Sequence, residues 1–354
     1  MKKAIAALAV IILSVTIILA ACSSPKSEFM SSFRGMAKNK QYTAVFTLKP
    51  ITIAGFDTLA FLNPDALAKS SLTMKTSRDL ARDLTYNTYG LHVGGTPAMD
   101  ITAHSFENGN TGKIYVPVAD LYQTPNTVTN TLDLATDSVF SRVLADNKDL
   151  KNRHLDVLQA LQNITNRVID EKTVDEQSSQ LRAIEQKTAF TLYKKINSLD
   201  KSHYKTQDRN ITLTLDKKEM AELSNAWLEE FQTNKDFIAL YAEVSGLTET
   251  EAKKTWLTTD KKAQETLKEL ITNADIKLGM TITMHPDADK GVRKLTMSVN
   301  YEDTSKKQKL NFDFTMELLH YEQIPTPPDP TQIITKKELD KLITDIIREQ
   351  RKAR

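Results

Sequence analysis

The sequence predicts an α+β protein with a curved antiparallel sheet, a segregated helical middle region and a C-terminal helix. Three observations carry this prediction. Apolar and polar residues alternate strictly over residues 275–321, which is typical of strands with one buried face. A second strand-rich block covers residues 42–123. Between the two blocks, residues 135–272 place apolar side chains at helical spacing.

The first block begins with a short helix, expected over residues 28–39 because apolar side chains recur at i, i+4 and i+7: Phe29, Phe33 and Met36. A strand follows from Tyr42 and is interrupted at Pro50. Residues 70–123 then predict a run of short strands, with turns rich in glycine and asparagine between them.

The helical middle shows two apolar stripes, at Val157, Leu161, Ile164 and Val168, and at Leu181, Ile184, Thr188 and Leu192. A short strand is expected at residues 210–215. Two capping boxes then predict helix starts, because a Ser, Thr or Asp side chain followed three residues later by Glu satisfies free backbone N–H groups. These boxes are Asp216 with Glu219 and Thr248 with Glu251. A further helix is predicted over residues 260–272.

Residues 275–321 predict a three-stranded antiparallel meander with one apolar and one polar face. Side chains alternate along a strand, so one set of apolar residues must share a surface: Met280, Ile282, Met284, Leu295, Met297, Val299, Phe312, Phe314 and Met316. Methionine is flexible and polarisable, and it suits surfaces that accept varied apolar ligands. The surface is therefore a candidate ligand site, although ordinary core beneath helices from residues 217–272 is the interpretation that the pattern favours.

Four prolines at residues 325–330 predict a stiff, extended linker. Thr335 with Glu338 starts a final amphipathic helix that ends in basic residues. Such a helix either docks on the body of the protein or lies on an anionic membrane surface. The predicted organisation is a leader at residues 1–21, a tether at 22–27, one α+β domain at 28–324, and the linker with its helix at 325–354.

Composition excludes several functional classes. The chain has 354 residues with 47 basic and 45 acidic side chains, and removal of Lys2 and Lys3 with a leader leaves 45 of each sign. A neutral chain has no global attraction for nucleic acid, so no nucleic-acid partner is expected. A single cysteine excludes an intramolecular disulfide.

The N-terminus resembles a bacterial lipoprotein signal. Lys2 and Lys3 precede an uncharged, mostly apolar stretch that closes with the lipobox Leu19-Ala20-Ala21-Cys22. The resemblance implies that Cys22 receives a diacylglycerol and, after cleavage, becomes the N-terminus. The expected partner is then the cell membrane, with the protein on its extracytoplasmic face. Only a thiolate is nucleophilic enough for this lipid transfer.

The order of segments resembles a known superfamily. A short helix running into KQYTAVFTL, followed by antiparallel meanders on a lipid-anchored chain, resembles the LolA/LppX-like lipoproteins. The resemblance covers about residues 28–123 and 275–321. It implies a half-barrel sheet whose concave apolar face holds acyl chains and whose mouth is closed by helices.

No catalytic or cofactor motif is present in the sequence. There is no nucleophile elbow, P-loop or zinc-protease motif, and no cofactor or metal site is expected. His92 and His104 could meet across neighbouring strands, although surface histidines are the simpler interpretation. Asp287–Gly291 shows a faint likeness to a calcium loop but lacks its ligand pattern, which favours a hairpin turn.

Three functional hypotheses follow from these observations. The first is a non-enzymatic envelope lipoprotein that binds an apolar or amphipathic ligand such as a lipid. The second is a structural or protein-interaction lipoprotein in which side chains fill the same sheet face. An envelope hydrolase has the least support. The ligand, any protein partner, the oligomeric state and the number of sheets are not specified by the sequence.

Overall fold

The computed structural model describes residues 24–55, 64–94, 99–109, 113–120, 146–157, 171–289 and 291–353. The predicted leader and Cys22 lie outside the described residues, as does most of the stripe from Val157 to Val168. The chain divides into two compact units. Unit 1 draws on residues up to Asn39, on Thr47–Ala68 and on Glu176–Leu318. Unit 2 draws on Lys40–Phe46, Lys69–Asp175 and Leu319–Arg354.

The described residues contain eleven strands in one curved, open antiparallel sheet, in the order β6-β5-β4-β3-β2-β1-β11-β10-β9-β8-β7. The predicted α+β class with a curved antiparallel sheet is thereby confirmed, and both strand-rich blocks belong to the same sheet. The strands are β1 Gln41–Ala54, β2 Ser71–Asp79, β3 Leu84–Val93, β4 Met99–Asn108, β5 Lys113–Pro117, β6 His154–Asp156, β7 Tyr204–Gln207, β8 Asn210–Asp216, β9 Ile276–Asp287, β10 Gly291–Asp303 and β11 Gln308–Leu319.

Seven α-helices lie in the described part of the chain. They are α1 Pro25–Ala37, α2 Pro64–Ala68, α3 Glu171–Ser198, α4 Lys217–Thr233, α5 Lys235–Ser245, α6 Glu249–Thr272 and α7 Lys336–Ala353. The predicted capping boxes start α4 and α6, where Asp216 and Thr248 accept N–H bonds and the paired Glu side chains accept in return. Thr335 and Glu338 make the same exchange before α7.

Four features differ from the prediction. The strand expected to be interrupted at Pro50 continues as β1 to Ala54, because proline removes one N–H donor but its fixed φ is compatible with an extended backbone. Helix α1 begins at Pro25 because proline is well suited to a first helical turn, and the Ser24 carbonyl accepts the N–H groups of Ser27 and Glu28. The predicted tether at 22–27 is therefore helical from Pro25 onwards. Helix α6 is continuous where a separate helix over residues 260–272 was expected. Within the predicted helical region, β6 and β7 are strands, which are too short for alternation to reveal.

In unit 2, the C-terminal segment packs on its own unit. Ile324 lies in a cluster with Leu84 and Phe106, and Leu339 of α7 lies in another with Val118, Leu150 and Ile334. The predicted linker thus runs between two anchored residues, Ile324 and Ile334, both buried. The packing of Leu339 favours docking of α7 on the body of the protein over a membrane-lying helix.

A charged contact fixes the start of α7. The Arg153 guanidinium donates to both carboxylate oxygens of Glu338, at 2.8 and 3.0 Å, and to the carbonyl of Ile333 at 2.7 Å. Arg153 and the Thr335 N–H hold the pKa of Glu338 down to about 2. Because this bidentate contact fixes the relative orientation of the two groups, it orients α7 in addition to stabilising its position.

A buried carboxylate closes the turn between β10 and β11. Asp303 accepts hydrogen bonds from the Ser305 hydroxyl at 2.6 Å, from the Lys306 N–H at 3.0 Å and from the Lys306 ammonium at 3.0 Å. These donors lower the pKa of Asp303 to about 2. Lys307 next to them adopts a φ of 54°, which the turn requires.

We predict that this turn makes stability depend on acid pH. A carboxyl group whose pKa is lowered in the folded state stabilises it above its unfolded pKa of about 3.9, and loses that contribution as pH falls towards 2. Asp303→Asn should therefore unfold at lower urea concentration than wild type at pH 7, and the difference should shrink between about pH 4 and pH 2. Asp289→Asn, an exposed carboxylate in the neighbouring turn, is the control. A difference that stays constant down to pH 2.5 would contradict this role.

Candidate ligand-binding surfaces

The strand register brings the nine predicted ligand residues of the meander together. Leu295 stands opposite Met284 and Met316, Met297 opposite Ile282 and Phe314, and Val299 opposite Met280 and Phe312. Strand β8 extends the same face, since Leu213 pairs with Ile282 and Leu215 with Met280. The alternation in the sequence therefore identified a real shared surface in unit 1.

This surface is closed to solvent. Eight of the nine side chains are at most 5% exposed, and Phe314 is half-buried. Helix α1 packs over β7 to β10 and α4 packs over β8 and β9. The covering side chains are buried as well: Phe29, Met30 and Phe33 from α1, and Met220 from α4. The meander face therefore forms the core of unit 1, which agrees with its interpretation as core beneath helices.

Helix α1 is an integral part of this core. The ring of Phe29 meets those of Phe33 and Tyr204 edge-on, with centroids 5.4 and 5.6 Å apart. The Lys26 ammonium donates to the carbonyl of Leu199 at 2.7 Å, which ties the first turn of α1 to the end of α3. Aromatic and hydrogen-bonded contacts therefore fix the helix that follows the predicted lipidation site.

Unit 2 presents an apolar surface that is not closed. On β2 and β3, Leu72 and Leu91 are direct cross-strand partners, yet they are 47% and 37% exposed. Met74 and Tyr89 form the next pair on the same face and are half-buried. The sequence showed the alternation of Leu72 and Met74 but gave no sign that their face stays open. Exposed, contiguous apolar side chains are typical of interaction sites.

The two histidines of interest are not brought together. His92 faces Asp100, with 2.7 Å between Nδ1 and a carboxylate oxygen, whereas His104 faces Asp120. His104 pairs with Thr88, four residues from His92, so about 13 Å of strand separates them. The two histidines lie on neighbouring strands but do not meet, because strand register sets His104 opposite Thr88 in the middle of β3 and His92 opposite Asp100 on β4.

His104 has a partner that the sequence did not reveal. Asp120, which is buried just after β5, accepts from the His104 backbone N–H at 2.7 Å and lies 3.1 Å from its Nδ1. The ring of Tyr86 stacks on the imidazole, and burial raises the pKa of the Tyr86 hydroxyl. Such a pairing holds Nδ1 as the protonated nitrogen and orients the ring.

The segment with a faint likeness to a calcium loop is a hairpin turn. Asp287 ends β9 and accepts the N–H of Asp289 at 2.9 Å, and Gly291 begins β10 with a φ of 79°. In the part of the chain that the structure describes, no three His, Cys, Asp or Glu side chains are placed to hold a metal ion. Nor does any helix there have the length and hydropathy to cross a membrane.

Comparisons with protein families, with curated proteins and with solved structures found no match to this chain.

We predict that Met297→Trp destabilises the protein. Met297 is fully buried at the middle of β10, and added volume in a packed core costs about 1–3 kcal/mol. The free energy of unfolding, measured by urea denaturation, should fall by that amount. Asn300→Trp puts the same ring on the exposed face of the same strand and should change it by less than about 0.5 kcal/mol. An unchanged free energy for Met297→Trp, with loss of a bound lipid, would instead indicate a ligand trough.

Proposed function

We propose that this protein is a membrane-anchored, non-enzymatic cell-envelope lipoprotein that binds an apolar or amphipathic ligand such as a lipid. The anchor is a diacylglycerol on Cys22, and the protein lies on the extracytoplasmic face of the membrane. One observation carries the ligand-binding part: the exposed Leu72–Leu91 pair on the face of β2 and β3. Removing apolar surface from water is favourable by about 25 cal/mol per Å², so binding of an apolar ligand that covers this pair is favoured.

The position of α1 supports close anchoring. Only Ser23 and Ser24 separate Cys22 from Pro25, the first residue of the helix. A chain spans at most about 3.6 Å per residue, so the start of α1 lies within roughly 11 Å of the lipidated residue. Two acyl chains hold far more firmly than one. Unit 1, in which α1 is buried, is therefore held at the membrane surface.

A second candidate is a structural or protein-interaction lipoprotein with a filled core. The burial of eight of the nine meander residues favours it for unit 1, because a surface occupied by α1 and α4 has no room for a ligand in this arrangement. The two functions predict different results for lipid that co-purifies with the protein. Native mass spectrometry of the full chain should detect bound lipid for the first function and none for the second.

We predict that Cys22 is lipidated. Wild-type protein expressed in a bacterial host should incorporate radiolabelled palmitate and sediment with the membranes, because the thiol accepts the diacylglycerol. Cys22→Ala should lose the label and the membrane association. Ser23→Ala keeps the lipobox and is the matched control. Persistent labelling of Cys22→Ala would rule out this anchor.

A further inference from the structure

One side of α3 presents an aromatic ring to solvent. Phe190 is 54% exposed, the largest exposed fraction among the large apolar side chains that the structure describes. Its ring stacks on that of Tyr193, with centroids 6.2 Å apart, and the Lys194 ammonium lies 4.4 Å from the centroid of Phe190. The buried side chains of the same helix recur every four residues on the opposite side: Ile184, Thr188, Leu192 and Ile196.

Positive charge surrounds this aromatic pair. Residues 190–209 contain five basic side chains and two acidic ones. Lys194, Lys195 and Lys201 are exposed, and none of them forms an ion pair with a carboxylate in the described part of the chain. By contrast, Lys187, earlier on α3, lies 2.9 Å from a carboxylate oxygen of Glu230. The exposed set is termed the α3 patch and consists of Phe190, Tyr193, Lys194, Lys195 and Lys201.

Stabilisation of the helix alone does not account for the α3 patch. Lysines near a helix C-terminus offset the helix dipole, which explains Lys194 and Lys195. The dipole gives no reason for an exposed aromatic ring beside them. Aromatic rings at headgroup level and lysines that contact anionic lipids are typical of protein segments that lie on a membrane surface.

The end of α3 is fixed to the start of α1. The Lys26 ammonium donates to the carbonyl of Leu199 at 2.7 Å. The Tyr204 hydroxyl donates to the carbonyl of Ile196 at 2.8 Å, and the ring of Tyr204 packs against Phe29 of α1. These contacts fix the two helices relative to each other within unit 1.

This arrangement places the α3 patch close to the proposed anchor. Cys22 lies within roughly 11 Å of Pro25, because only two residues separate them. An α-helix rises about 1.5 Å per residue, so Phe190 lies about 14 Å along α3 from Leu199, which contacts α1. A lipid on Cys22 would therefore hold a bilayer surface next to the patch, which favours lipid over an acidic protein as its partner.

We propose that the α3 patch binds the anionic bilayer surface into which the lipid on Cys22 is inserted. The rings of Phe190 and Tyr193 lie between headgroups and acyl chains, and the three lysines of the patch contact lipid phosphates. This second contact orients unit 1 on the membrane, which a lipid at one point does not. The inference rests on the anchoring part of the proposed function.

The test measures how deeply the patch lies in a bilayer. The full lipidated chain carries Asn197→Cys with a nitroxide spin label, which is then the only free thiol because Cys22 is the single cysteine of the sequence. Asn197 is exposed and lies seven residues after Phe190, on the same side of α3. Thr258→Cys on the exposed side of α6 is the matched control.

The labelled proteins are reconstituted into vesicles of phosphatidylglycerol mixed with phosphatidylcholine, and into vesicles of phosphatidylcholine alone. The Asn197 label should be protected from an aqueous nickel chelate in the mixed vesicles and less protected in phosphatidylcholine alone, because the neutral surface does not attract lysine. The Thr258 label should stay accessible to the chelate in both kinds of vesicle.

Charge variants test the role of the lysines. Lys194→Gln should lower the ratio of docked to undocked protein by about fivefold, the factor that one lysine near an anionic surface contributes. Changing Lys194, Lys195 and Lys201 together should lower the ratio by on the order of a hundredfold. The matched control changes three exposed lysines of α6 to glutamine and should leave the ratio unchanged: Lys253, Lys254 and Lys261.

Phe190→Ser tests the aromatic contribution. It should lower the same ratio by about tenfold, because the ring no longer leaves water on docking. The urea midpoint of each variant should match that of wild type, since every replaced side chain is exposed or faces solvent.

Four results would overturn the proposal. An Asn197 label as accessible as the Thr258 label in the mixed vesicles would refute docking and leave the anchor on Cys22 standing. Protection that the three-lysine variant retains would refute recognition of anionic lipid. Protection that persists in detergent and rises with protein concentration would assign the patch to a second copy of the chain. A mass of the intact protein without lipid on Cys22 would refute the anchor and this inference with it.

Discussion

The burial of α1 on the meander is the interaction on which unit 1 depends. Phe29, Met30 and Phe33 lie at helical spacing on one side of α1, and the strands beneath present a continuous apolar face. Neither surface is stable when exposed to water, because complete burial of one large apolar side chain stabilises the folded state by about 1.5–3 kcal/mol. The N-terminal helix and the C-terminal strands of unit 1 must therefore fold together, although more than 200 residues separate them along the chain.

That dependence links the proposed membrane anchor to the core. In a lipoprotein with a long flexible tether, the lipid and the folded body move independently. Here the helix starts at Pro25 and is fixed by the Lys26 contact to Leu199 and by the aromatic contact to Tyr204. The proposed lipid on Cys22 would thus be joined almost directly to a helix that is buried in the core of unit 1.

Unit 2 depends less on apolar packing and more on polar contacts than unit 1 does. Its apolar clusters are small and recruit the C-terminal segment, through Ile324 on one side of the prolines and Leu339 on the other. Polar contacts position several of its elements. Arg153 donates hydrogen bonds to Glu338 at the start of α7, Asp120 orients His104, and Asn87 lies at the centre of a buried hydrogen-bond network. Such networks specify one arrangement because each member left unsatisfied is costly.

Features that depend on neighbours in the chain were predictable from the sequence. Strict alternation gave β9 to β11 and the shared face of Met280, Met297 and Met316, because a period of two is a local property of strands. The capping boxes at Asp216 and Thr248 involve residues three apart, so their helix starts were also predicted correctly. The resemblance of Leu19-Ala20-Ala21-Cys22 to a lipobox is likewise local, and lipidation of Cys22 stays a prediction.

Features that depend on distant partners were decided only by the tertiary structure. Alternation says that a face is apolar, but not whether a helix covers it, so the meander face is core under α1 while the Leu72–Leu91 face stays open. Strands β6 and β7 are too short for periodicity and exist because a neighbouring strand pairs with each. Asp120, just after β5, meets His104 of β4 although 16 residues separate them in the chain, because the pairing of β4 with β5 brings the two segments together. Burial, pairing and exposure are properties of the whole fold, because each is fixed by what packs against a residue rather than by its place in the chain.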